Sequence, residues 1–83
     1  MITTNQDLYG VVREIIDALK QAGEAELAGD LQGALSISSL PGEVLGETRL
    51  QLERVKKSRV SDRVDIRRAV DEAMRYIRSA LDG

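Results

Sequence analysis

The fold turns on fifteen residues, Leu52-Glu-Arg-Val-Lys-Lys-Ser-Arg-Val-Ser-Asp-Arg-Val-Asp-Ile66, because two apolar helical stripes meet within them. Upstream, Val44, Leu45, Leu52 and Val55, with Thr48 in register, mark one face of a helix over 41–57. Downstream, Ile66, Val70, Ala73, Ile77 and Leu81 recur at i, i+4, i+7, i+11 and i+15, flanked by Ala69, Met74 and Ala80, and predict a helix over 62–82 that ends at Gly83. Neither Gly nor Pro occurs between Gly46 and Gly83, so the same residues also permit one helix of about 40 residues. Carried onward at heptad spacing, the upstream stripe puts Arg59 and Asp62 on the seam before Ile66, which interrupts a uniform zipper. The stretch therefore predicts a break near 58–61, where Ser58 and Ser61 are the only punctuation. A bend there lets one chain close its own core, whereas a continuous helix, rising 1.5 Å per residue, separates the two apolar faces by tens of ångströms and calls for a second chain.

Working back from this junction, Leu35-Ser-Ile-Ser-Ser-Leu-Pro-Gly42 is the one real loop. Leu40 is biased out of the helical region by the proline after it, and Pro41 suits a first helical turn. Before the loop, Leu27, Ala28, Leu31 and Leu35 predict a short helix over 24–34, weakened by Gly29 and Gly33 unless those glycines admit a close helix contact. Gly23 marks a tight turn into an antiparallel hairpin. The first helix, over 5–22, is the clearest element: Leu8, Val11, Val12, Ile15, Ile16 and Leu19 form a single stripe, with Thr4 as its cap and Asp7 three residues on. The expected fold is all-α, a small antiparallel bundle of about four helices in one domain spanning 1–83. A chain of this size buries only about 60% of its unfolded surface, so completion by dimerisation is also expected.

The composition narrows the chemistry. The 83 residues hold no Cys and no His, and their 42% apolar content is aliphatic apart from two tyrosines. Thiol nucleophiles, disulfide frameworks, His-based acid–base sites and thiolate or imidazole metal sites are thereby excluded. No cofactor is implied. Nor does any apolar run approach the roughly 20 residues of a membrane span, and the expected location is cytoplasmic. The acid pairs Glu43 with Glu47 and Glu14 with Asp17 share helical faces, but they lack the further ligands that helical carboxylate sites bring together.

The formal charge of −2 hides a polarity: residues 1–47 carry two basic and eight acidic side chains, whereas residues 48–83 carry ten and six. The dense basic run around the junction includes Arg59, Arg63, Arg67 and Arg68, which as a phosphate-binding set would make the chain a small nucleic-acid-associated regulator. Against this stand the acidic balance, the lack of aromatics to stack on bases, and oppositely charged residues four apart that are placed to neutralise one another: Glu53 with Lys57, Arg67 with Asp71, Arg68 with Glu72 and Asp71 with Arg75. Ile37, Leu40, Leu50, Val60 and Val64 fall outside the helical stripes. The favoured expectation is accordingly a non-catalytic module that binds another protein, an inhibitor, immunity-type or adaptor protein, through Leu40, Leu50, Val60, Val64 and Tyr76.

Overall fold

A computed structural model describes residues 1–82, and the expected end at Gly83 lies outside them. Four helices, α1 (Asn5–Gln21), α2 (Ala25–Leu35), α3 (Pro41–Lys57) and α4 (Val64–Asp82), form an all-α bundle, with a single 3-10 turn at Arg59–Asp62 between α3 and α4. Each helix packs on its neighbours in sequence, and α4 closes the ring against α1. The closing pair is antiparallel. At one end the Tyr76 hydroxyl of α4 donates to Asn5 Oδ1 of α1 at 2.6 Å, and further along Ile15 and Ala18 share a groove with Ile66 and Ala69.

The stripes anticipated from the sequence fill the interior, except at the end of α4, where Leu81 is 40% exposed and Ala80 is exposed beside it. Leu8, Val12, Ile15, Leu19, Leu31, Leu52, Val55, Ile66, Val70, Ala73 and Ile77 are all buried in one aliphatic cluster. The longest dimension of the molecule is 33 Å and its radius of gyration 11.6 Å. A continuous helix over 41–82 would alone span about 63 Å at 1.5 Å per residue, and a compact chain of this length has an expected radius near 12 Å. The chain therefore bends, and its buried cluster draws on all four of its helices.

How it bends differs in detail from the expectation of a helix beginning at residue 62. The break starts at Ser58, whose backbone is extended at φ −87 and ψ 165. Its hydroxyl donates to the Val55 carbonyl at 2.8 Å, and the Ser61 hydroxyl donates to the Ser58 carbonyl at 2.8 Å. Short serine side chains thus take carbonyls that a continuing helix would have bonded with its own N–H groups. The 3-10 turn between them drives Val60 inward to 7% exposure, within the core cluster. Val60 was expected at a partner surface; it lies off both stripes only if the helix geometry runs on, and the turn re-aims it.

The N-terminal cap of α1 forms with a shift of partner. Thr4 Oγ1 accepts from Asp7 N–H at 3.1 Å, while the Asp7 carboxylate takes the backbone N–H and hydroxyl of Thr3, at 3.1 and 2.8 Å, instead of closing on Thr4. Gly23, at φ 82, provides the left-handed stop that turns the chain from α1 into α2. By contrast, Gly29 and Gly33 face open space, with nothing within 4 Å of an added Cβ, so no close helix contact requires them. The same holds for Gly42 and Gly46. Since α2 also lacks a side-chain cap and a basic last turn, it is the least reinforced helix.

Thr48 is the one exception to the apolar core, fully buried with no partner for its hydroxyl among the described residues. An unpaired buried hydroxyl destabilises, so Thr48→Val, which keeps the shape and removes the polar atom, should raise stability by about 1 kcal/mol. Gly29→Ala and Gly33→Ala should each stabilise by up to about 1 kcal/mol through helix propensity alone. Urea unfolding followed by circular dichroism checks all three, and a destabilised Gly33→Ala would show that α2 needs a contact that its open surroundings do not reveal.

Candidate partner-binding surface

Among the side chains expected at a partner surface, Leu40, Leu50 and Val64 are exposed at 58%, 53% and 51%, Tyr76 is half-buried and Val60 is core. They do not form one patch. Leu50 is two positions from fully buried Thr48, or about 200° around the helix, and so stands on the outer side of α3. Leu40 precedes the first turn of that helix, held by its N–H donating to Ser38 Oγ at 3.0 Å, and Ile37 is 56% exposed in the same loop. Ile37 and Leu40 thus stand in water in the α2–α3 loop, and Leu50 on outer α3, about 15 Å beyond Leu40 at 1.5 Å per residue. Ile37, off every stripe in the sequence, is exposed to the same degree as the expected anchors Leu40 and Leu50.

Val64 lies at the opposite pole of α3, where α4 begins. Tyr76 faces α1, where its hydroxyl is engaged by Asn5. Beside it runs an open groove of about 610 Å³ whose lining includes Ile2, Tyr76, the carboxylates Asp71 and Glu72, the guanidinium groups Arg68 and Arg75, and Met1, whose ammonium meets Glu72 at 3.6 Å.

Charge frames Leu50. Glu43 and Glu47 lie toward the loop end of α3, and Arg54 and Lys57 toward its far end. Arg54 bridges to α2 through Asp30 at 2.8 Å. Of the four ion pairs among the described residues, only this one joins a base of the second half of the chain to an acid of the first. None of the pairs expected four residues apart forms; Asp71 instead meets Lys56 of α3 at 3.2 Å. A neighbouring helix brings a base closer to that carboxylate than its own helix does.

The basic set sits at the junction pole. Arg59, Arg63, Arg67 and Arg68 are all exposed, and Arg63 alone has an ion-pair partner, Asp65, at 2.9 Å. No group of three or more acidic, His or Cys side chains placed to hold a metal occurs among the described residues, and the pairs Glu43/Glu47 and Glu14/Asp17 remain surface carboxylates. No described helix is long and apolar enough to cross a membrane.

Two surface carboxylates are held below their ordinary range. Asp7 is lowered chiefly by the Thr3 hydroxyl bond, and Asp65 chiefly by its hydrogen bond from Arg63. A carboxylate lowered on folding contributes stability that is fully present above the unfolded value, 3.8 for these groups, and is lost as pH falls through the folded value. The acid limb of the stability curve should thus lie below about pH 4, and Asp7→Asn combined with Asp65→Asn should flatten it while leaving the alkaline side unchanged. Thermal unfolding between pH 2 and 8 reads this out.

No protein-family model matches the chain, no curated protein matches it, and no solved structure matches its fold.

Proposed function

We propose that this small helical bundle is a non-catalytic interaction module that binds another protein through Ile37, Leu40 and Leu50 and acts by occupying its partner's surface. The observation that carries this reading is the exposure, by more than half, of three large aliphatic side chains of the α2–α3 loop and outer α3, Ile37, Leu40 and Leu50. Removing such side chains from water on binding is favourable at roughly 25 cal/mol per Å². The charges toward the two ends of α3, Glu43 and Glu47 against Arg54 and Lys57, supply orientation and association rate more than affinity. Inhibitory, immunity-type and adaptor roles all fit binding of this kind, in a cytoplasmic setting that the absence of cysteine favours.

A second reading draws on the junction pole, where Arg59, Arg67 and Arg68 are exposed without ion-pair partners: a nucleic-acid-associated regulator that contacts backbone phosphates there. The two readings use different side chains and are separable. Leu50→Asp and Leu40→Asp should leave helicity and thermal midpoint nearly unchanged, since both side chains already stand in water, yet abolish recovery of a stoichiometric partner protein from native extract treated with nuclease. Loss of helix content would show these residues to be structural. Recovery of nucleic acid instead, with an affinity that falls steeply with salt and with Arg67→Ala, would put the junction pole in their place.

A further inference from the structure

The reversal between α3 and α4 is made without a helix-breaking residue, and the bonds that hold it have direct replacements in a straight helix. We infer that the chain also pairs with a second copy of itself by exchanging α4, the 3-10 turn opening so that α3 and α4 become one continuous helix. This inference is independent of the protein-binding reading above.

Three observations carry it. First, the buried faces of the two helices are in phase. Thr48 and Ile66, Leu52 and Val70, and Val55 and Ala73 are each eighteen residues apart, five turns at 3.6 residues per turn. A straight helix would thus present both stripes on one side, α3 to its own α1–α2 hairpin and α4 to that of the second copy. Secondly, the turn is held at the Val55 and Ser58 carbonyls, which accept both the hydroxyl and the backbone N–H of Ser58 and of Ser61 respectively. In a continuous helix the same carbonyls accept the N–H groups of Arg59 and Asp62, and the Ser58 and Ser61 N–H groups donate to the Arg54 and Lys57 carbonyls, so every one of these backbone groups keeps a partner. Thirdly, every contact that α4 makes with α1 and α3 is re-formed between copies, which leaves the hinge and the entropy of association to set the balance.

The side chains of the hinge have places in the exchanged form. Val60 lies one turn beyond Lys56, whose side chain meets α4 at Asp71, so in a straight helix Val60 is on the flank that faces the neighbouring long helix. With a two-fold axis near residues 60 and 61, Val60 packs on Val60 of the second copy, and Arg59 lies level with Asp62 of the other chain. The two charged residues that interrupt a parallel zipper then become a complementary pair about the axis.

The chain contains no cysteine, so Lys56→Cys with Asp71→Cys introduces one thiol on each side of the α3–α4 contact. The protein is refolded at about 1 mM, in the range of effective concentrations that govern short linkages, then diluted and analysed by sizing with light scattering. Each fraction is cross-linked with a short bismaleimide and run on a denaturing gel. A dimer is expected that survives dilution for hours and whose cross-link joins two chains, while the monomer cross-links within one. Ser58→Ala with Ser61→Ala should raise the dimer at least threefold. Arg59→Pro should remove it without lowering the thermal midpoint, because the extended backbone of Ser58 suits a residue before proline and the first position of the turn tolerates one, whereas a continuous helix does not. A dimer cross-linked only within chains, a dimer that persists in Arg59→Pro, or no dimer in the double alanine variant would each overturn the inference. The cross-linking result stands even where Arg59→Pro fails to fold.

Discussion

Everything in this molecule depends on the reversal at residues 58–62. An amphipathic helix precedes it and a more strongly amphipathic one follows it, and each has a stripe that must be covered. With the reversal, the four stripes converge on one interior and the chain shrinks to 33 Å in its longest dimension. The energetic basis is local: the hydroxyls and backbone N–H groups of Ser58 and Ser61 on the Val55 and Ser58 carbonyls, the Arg63 N–H on the Val60 carbonyl, and one valine taken out of water. Its structural consequence is large because α4 supplies four of the buried positions and closes the ring against α1. The absence of Gly and Pro here means that packing, with little help from backbone preference, decides the path of the chain.

That balance explains what could be read from the residues alone. Stripes such as Leu8 to Leu19 and Ile66 to Ile77 have a period that admits one secondary structure, and their residues are the core. The break near Ser58 was also legible, through the polar residues that a continuing stripe would carry at Arg59 and Asp62. What was hidden is what a 3-10 turn does to facing. Val60 is off the stripe by helical arithmetic and yet buried, because three residues per turn and an extended Ser58 rotate it inward. The ion pairs expected within single helices do not form for a related reason: spacing along one helix fixes what can meet, but the neighbour across the groove decides what does, as Lys56 does for Asp71.

The surface shows the same separation between what sequence position and three-dimensional placement determine. Leu40, Leu50, Val64 and Tyr76 share only the property of lying off or at the edge of a stripe, and the bundle distributes them over its loop, outer α3, junction pole and α1–α4 seam. Ile37 and Leu40 stay in water because the α2–α3 loop feeds directly into α3, and Leu50 because it stands opposite the core face of that helix. Among the described residues, two ion pairs join the oppositely charged halves of the chain, Arg54 with Asp30 and the Met1 ammonium with Glu72.

Size constrains how such a surface works. The bundle exposes 5134 Å² in all, and an ordinary stable interface takes about 800 Å² from each partner, so binding would engage roughly a sixth of this molecule. Three aliphatic side chains cannot supply that area alone; the rest must come from the polar and charged residues around them on α3 and the loop. Because α3 is held on both flanks, by α2 and by α4, its outer side is presented without rearrangement, and little entropy is lost on ordering it. A rigid helix with Leu50 near its middle and unlike charges toward its two ends imposes a direction on whatever lies against it. Selectivity in such an interface resides in the charged margin, and affinity in the few aliphatic side chains it encloses.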